Sequence, residues 1–405
     1  MTIYEPMKQH LRVRSFLAAC ILMTSLAGSA FGSHTAGDFP LPSQIASADF
    51  NRDGNLDLAV NLTGFDSVAI LNGDGQGNFV LKEHVESDTL PKGLAVGDLN
   101  HDGNIDIVST CKWGYNIRVY LGDGLGGFIQ VNELKGDGEP TRVVLADINN
   151  DGNLDIVANA PDEGKILIYF GLGSGGFSNT PLEIEDLNNS NGLLVADLNH
   201  DGKLDLAVLD LISATETGTV VILLGDGAGG FTIASQFAIS HTAATFSLCD
   251  LNKDGNLDLL VAGAGPEDNS GLYLNSYLGD GTGNFALKQS LGLGEGSLEG
   301  VLGLSDFNED GNLDVAFPLT FDKNMGLSTT VLTFLGDGTG NLVQGKSFTV
   351  GGGPHSAFAF DFDHDSHVDL AVTSRTVGTL SILFGDGSGN FTSHAVINVA
   401  ELPAP

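Results

Sequence analysis

The sequence predicts an all-β fold: a seven-bladed β-propeller, with four antiparallel strands per blade and an acidic loop between strands one and two of each blade. Three observations predict it. The string Asp-x-Asn-x-Asp-Gly-x-x-Asp begins at Asp49, Asp98, Asp147, Asp197, Asp250 and Asp306, and a seventh copy, DFDHDSHVD, begins at Asp361, a period of about 52 residues. About 20 residues into each copy comes a glycine-rich signature: LNGDGQGNF, LGDGLGGF, FGLGSGGF, LGDGAGGF, LGDGTGNF, LGDGTGNL and FGDGSGNF. Between these signatures lie apolar runs of about five residues bounded by Gly, Asn and Asp, with no helical periodicity.

Each element follows from that pattern. The second repeat shows it in order: LAVGD, the acidic loop, IDIVST, a turn, IRVYLG, the glycine turn, and FIQV. Connections to the next repeat carry Pro and Gly, as in LPKG, GEPT and GGGP. Four short antiparallel strands cannot bury both faces of their sheet alone, whereas radial stacking covers each blade with two neighbours. The first strand is expected over residues 44 to 49 and the last over residues 391 to 399. Every blade is then complete in sequence, and the ring closes by packing blade one on blade seven.

Residues 1–32 read as a signal peptide, leaving 33–405 as the propeller. Lys8, Arg12 and Arg14 form a basic start, Phe16 to Leu26 an apolar stretch, and Ala27 to Gly32 a run of small residues. Leu17-Ala18-Ala19-Cys20 also resembles a lipobox, but the apolar run continues past Cys20. No other stretch is long and apolar enough to cross a membrane. The expected location is therefore secreted, periplasmic or cell-surface. Of three cysteines, Cys111 and Cys249 would survive cleavage; they fall in different repeats and are expected as buried free thiols.

Composition excludes other classes. The chain has 51 Asp plus Glu against 17 Lys plus Arg, for a formal charge of -34, the wrong sign for nucleic acid or an anionic membrane. With 42% apolar residues it can bury a large core, so the acidity does not mean disorder. A monomer is expected.

The acidic loops carry the spacing of a calcium site. Position 1 is Asp49, Asp98, Asp147, Asp197, Asp250, Asp306 or Asp361, and position 3 is Asn51, Asn100, Asn149, Asn199, Asn252, Asn308 or Asp363. Position 5 is Asp53, Asp102, Asp151, Asp201, Asp254, Asp310 or Asp365, and position 9 is Asp57, Asp106, Asp155, Asp205, Asp258, Asp314 or Asp369. Position 7 offers only its backbone carbonyl, from Asn55, Asn104, Asn153, Lys203, Asn256, Asn312 or His367. Alternating hard oxygen ligands around a glycine reversal suit Ca²⁺, so up to seven ions are expected. The loops lead into strands, unlike the helices that flank an EF-hand. The seventh loop departs from the pattern, with Ser366 where the others have glycine.

The paired signatures, D-x-N-x-D-G-x-x-D followed by L-G-D-G-x-G-x-F, resemble the FG-GAP or VCBS repeats of the integrin α-subunit propeller, over about nine tenths of the chain. The resemblance implies one Ca²⁺ in the hairpin between strands one and two of a blade, stabilising the propeller on the face away from ligand. Function does not follow from it, because the fold serves adhesion, lectin and lyase proteins alike.

GDGLGG and GDGAGG superficially match a dinucleotide fingerprint, but each joins two strands and no helix follows. No HExxH, CxxC or nucleophile elbow is present. His101, His200 and His364, at position 4 of their loops, are expected to face solvent.

Ligand binding is expected on the opposite face, formed by the second turns and the blade connectors. Trp113 and Tyr115, in the second turn of blade two, could stack on a sugar ring. The leading expectation is a non-catalytic module binding an extracellular protein or glycan. A lectin with pockets between blades is the alternative, followed by a polysaccharide lyase or hydrolase using charges among Lys112, Asp162, Glu163, Glu216, Glu267, Asp268 and Arg375.

Overall fold

Second strands are apolar along their whole length for a reason visible in three dimensions. Asp57–Leu62, Asp106–Cys111, Asp155–Ala160 and Asp369–Ser374 are buried at every residue. A strand covered on both faces must lie between two neighbouring sheets. The computed structural model describes residues 40–400 apart from 213–216, 240–241, 265–270, 299 and 323–325; the signal segment expected over residues 1–32 lies outside the described residues.

Seven antiparallel four-stranded units make seven blades, with blades five and six joined in one eight-stranded sheet. Blade one consists of Pro42–Ala48, Asp57–Leu62, Ser67–Gly73 and Phe79–Glu86, paired in chain order. The later blades open with Pro91–Gly97, Val143–Ala146, Ser190–Ala196, Thr242–Cys249, Gly303–Ser305 and Pro354–Phe360. First strands of successive blades face one another around the axis, except between blades five and six. Fourth strands form the outer rim and alternate buried and exposed residues, as Phe79–Glu86 does. Acidic loops and glycine turns therefore share one face, and second turns and connectors share the other.

The core is divided among seven clusters, each made by two adjacent blades. Val108 and Ile117 of blade two pack with Ile156 and Leu167 of blade three, for example. Leu58 and Val60 of blade one pack with Ala371, Leu380 and Ile382 of blade seven, which closes the ring. As expected, each blade is contiguous in sequence, and the first strand is displaced only slightly, to Pro42–Ala48. The Thr373 hydroxyl donates to the Ser43 carbonyl across the seam at 2.9 Å and accepts the Ser356 N–H at 3.0 Å. Thr373 is fully buried. Thr373→Val should leave a buried acceptor and donor unpaired and cost about 1–3 kcal/mol, read as a lower urea midpoint at unchanged m-value.

Two blades depart from the regular plan. The last strand of blade five, Phe285–Ser297, runs on to pair with blade six through Gly296↔Asp322 and Ser297↔Phe321. Its connector, SLGLGEGSLEG, contains no proline to stop the strand. In blade three the fourth strand shrinks to Leu182–Ile184, directly after Pro181. Cys111 and Cys249 are both free and buried, as expected.

Candidate metal-binding face

The buried aspartate at position 9 organises each loop. Asp57 is wholly buried, and its two oxygens accept the N–H groups of Phe50 and Gly73 at 2.9 Å each. All seven position-9 aspartates repeat this pair of bonds, at 2.8–2.9 Å, to the loop's second residue and to the glycine opening the glycine turn. That glycine cannot carry a side chain: a Cβ on Gly73 would lie 2.1 Å from the Leu56 carbonyl oxygen. Burial raises the pKa of every position-9 carboxyl, with Asp314 and Asp369 pushed up to about 6.

The exposed part of the loop is held by its own carboxylates. Asp98 accepts the N–H groups of Asp102 at 3.2 Å and Gly103 at 2.9 Å, and Asp102 accepts the Asn104 N–H at 2.7 Å. The seventh loop keeps the same arrangement: Ser366 adopts φ 77° and donates to Asp361 at 3.0 Å. Its departure from glycine leaves the loop geometry intact.

Position 4 holds a non-glycine residue at positive φ in all seven loops: Arg52, His101, Asn150, His200, Lys253, Glu309 and His364. These side chains are exposed and also reach toward the neighbouring blade. His101 meets the Asn153 amide oxygen, and His200 that of Asn256, at 3.0 Å. Arg52 donates to the Asp102 carbonyl at 3.2 Å, Asn150 to the Gly227 carbonyl at 3.3 Å, and Glu309 meets His367 at 2.5 Å. A Cβ on Gly311 would lie 3.4 Å from the Lys253 ammonium, and one on Gly75 would lie 3.3 Å from the His364 ring. Each loop thus reaches the next blade, and the circle closes from blade seven to blade one. His101, His200 and His364 are exposed, as expected, and the left-handed backbone aims position 4 sideways so that these side chains also lie against the next blade.

Glycine turns carry a second acid set. Asp280 accepts the N–H groups of Thr282 at 2.8 Å and Asn284 at 3.2 Å, and Asp337 does the same with Thr339 and Asn341. Side-chain hydrogen bonds from Thr282 and Asn284, and from Asn341 and Thr339, pull these two carboxyls down to about 2. A depressed folded pKa contributes stability above the unfolded value, near 4, and loses it as pH falls through about 2. Asp280→Asn with Asp337→Asn should therefore flatten the acid limb of the pH–stability curve in that window, a small effect because both groups are exposed.

The donor set fits a hard divalent cation. In the seventh loop the carboxylates of Asp361, Asp363 and Asp369 converge, with ligand atoms all within 4.8 Å of one another. In the fifth, the buried Oδ1 of Asp250 has no hydrogen-bond partner. The position-9 oxygens each retain a lone pair beyond the N–H they accept. Six loops have Asn at position 3, whose carbonyl oxygen replaces a carboxylate without losing a ligand.

On the opposite face Trp113 and Tyr115 are 58% and 53% exposed. Lys112 pairs with Glu139 at 2.8 Å, and Asp162 and Glu163 sit in a single 3-10 turn, Pro161–Glu163. Glu216, Glu267 and Asp268 lie outside the described residues.

A family model described as an FG-GAP-like repeat matches residues 49–109, 98–158, 147–208, 209–261, 250–317 and 306–372. The chain belongs to the FG-GAP-like repeat family. Five of the six matches begin at position 1 of an acidic loop. Among curated proteins no relative matches. Solved structures share the fold. A putative 6-phosphogluconolactonase from Bacteroides fragilis NCTC 9343 is 16% identical with TM-score 0.58, covering 90% of this chain and 97% of that one. BBS1N, in complex with ARL6DN, is 11% identical with TM-score 0.57, covering 87% and 95%. A protein from Lactobacillus plantarum is 13% identical with TM-score 0.57, covering 88% and 96%. At these identities the likeness is one of fold.

Proposed function

We propose that this FG-GAP-like propeller is an exported, calcium-bound, non-catalytic interaction module that recognises a protein or glycan through its second turns and connectors. The observation that carries this reading is the sevenfold repetition of one loop geometry, with oxygen donors gathered on one face. Positions 1, 3, 5 and 9 would hold each ion by side-chain oxygens and position 7 by its carbonyl. Calcium would supply positive charge beside buried carboxylates, lowering the cost of keeping them ionised. The ion would be structural, leaving the opposite face for ligand.

Two features support the ligand side. Exposed Trp113 and Tyr115 offer aromatic faces to a sugar, and BBS1N shows that a propeller of similar fold forms a complex with another protein. Calorimetry on the exported protein should find several weak sites, with Kd roughly 10⁻⁴ to 10⁻³ M, and Asp102→Ala should remove one. An unchanged stoichiometry would overturn the ligand assignment. A glycan array then separates the ligand classes. Sugar binding lost in Trp113→Ala supports glycan recognition, silence favours a protein partner, and released oligosaccharide product would overturn the non-catalytic reading.

A further inference from the structure

Asp210 differs in kind from its counterparts in the repeat. It lies on the second strand of blade four, Asp205–Ile212, five residues after position 9 of the loop. The other blades have Leu62, Cys111, Ala160, Gly263, Leu319 and Ser374 at that place. Blade four alone puts a charge there, and the residue is only 3% exposed.

The alternation of the strand sets its direction. Leu206 and Val208 pack against Ile166 and Ile168 of blade three, so Asp210 turns to the same side. There it meets the connector between the two blades. One carboxylate oxygen accepts the N–H groups of Asn188 at 2.8 Å and Asn189 at 2.7 Å, and the other accepts the Asn188 side-chain amide at 2.7 Å. All three donors are neutral. The connector is itself pinned to blade three: the Leu187 N–H donates to the Gly164 carbonyl at 3.2 Å, and a Cβ on Gly164 would lie 2.1 Å from the Leu187 carbonyl oxygen. Lys165, whose carbonyl accepts the Ser190 hydroxyl, directs its ammonium to Glu183 and Glu185, at 2.6 and 3.2 Å.

Asp210 lines a cavity of about 360 Å³ between this connector and blade four. No strand of blade three contributes to the wall; its fourth strand, Leu182–Ile184, has 3 residues where those of the other blades have at least 8. The wall joins apolar Leu187, Val221 and Ile233 to Thr219 and to a second carboxylate, the exposed Asp186. Among the described residues no lysine, arginine or histidine lines it. A buried carboxylate with neutral donors only is best compensated by a positive charge. A cavity beside it with apolar walls matches an organic cation, its ammonium at Asp210 and its hydrocarbon body against Val221 and Ile233. A net charge of -34 attracts such a ligand and repels anions.

We propose that the cleft between blades three and four is a binding site for a small organic ammonium ion, held by Asp210 and Asp186. The site depends neither on the acidic loops nor on Trp113. The test is calorimetry on the full chain in saturating calcium, with benzylamine (protonated near neutral pH), neutral benzyl alcohol and anionic benzoate. The amine should bind, weakening with added salt, and the alcohol and the anion should bind at least about tenfold more weakly. Asp210→Asn removes the charge at nearly constant shape, and it should weaken the amine at least about tenfold while leaving calcium stoichiometry unchanged. Should that variant fail to fold, Asp186→Asn, at an exposed position, should weaken the amine about two- to fivefold. No amine binding below about 10 mM, equal binding of benzyl alcohol or benzoate, or full affinity in a folded variant would each overturn the proposal.

Discussion

Excess EDTA is expected to lower the melting temperature of the purified protein by more than about 10 °C, with magnesium restoring little of it. Only folding brings the five oxygen positions of each loop together, so an ion that fits them favours the native state. At millimolar calcium a weak site contributes about 1 kcal/mol by mass action. Seven such sites would rival a typical domain stability of roughly 5–15 kcal/mol. Chelation also leaves three aspartates in each of the first six loops, and four in the seventh, to repel one another. Magnesium demands a smaller octahedral shell and gives up its waters reluctantly. Differential scanning calorimetry in calcium, EDTA, and EDTA with magnesium decides it. An unchanged melting curve in EDTA would reduce the loops to polar turns.

Asp314→Ala should destabilise the protein by roughly 2–5 kcal/mol, and most of that loss should persist in EDTA. The carboxylate is fully buried, and it alone accepts the N–H groups of Phe307 and Gly336, at 2.9 and 2.8 Å. Removing it leaves two buried donors unpaired, each costing about 1–3 kcal/mol, whether or not an ion is present. Exposed Asp310 makes the contrast: Asp310→Ala should cost little in EDTA and more in calcium. Urea unfolding of both variants under the two conditions separates a structural carboxylate from a purely metal-ligating one. A loss for Asp314→Ala that vanishes in EDTA would reverse the assignment.

The repeat made the blades legible. Period, strand count and the chain-order sheets all followed from signatures such as Asp98 to Asp106 and LGDGLGGF, because each blade is built from local hairpins. The loop set was equally legible as donors, since ligand type and spacing are properties of sequence. Position 9 was readable as an oxygen but not as a hydrogen-bond hub. Its partners Phe50 and Gly73 are 7 and 16 residues from Asp57, and only the fold shows that both N–H groups point inward. His101 and His200 are exposed, as the sequence predicts, but their hydrogen bonds to the adjacent blade, across 52 and 56 residues, depend on a left-handed backbone that only the fold shows.

By itself, then, the sequence determined the number of blades, the strand order within each and the chemistry of the seven loops. All are short-range consequences of one unit repeated with a fixed period. Tertiary structure decided what depends on blades meeting: the latches running from loop to loop, the Thr373–Ser43 seam, and the continuation of blade five into blade six through Gly296 and Ser297. Radial closure brings the same end of every first strand to a common axis, and no pattern along the chain records which residues will face one another across it.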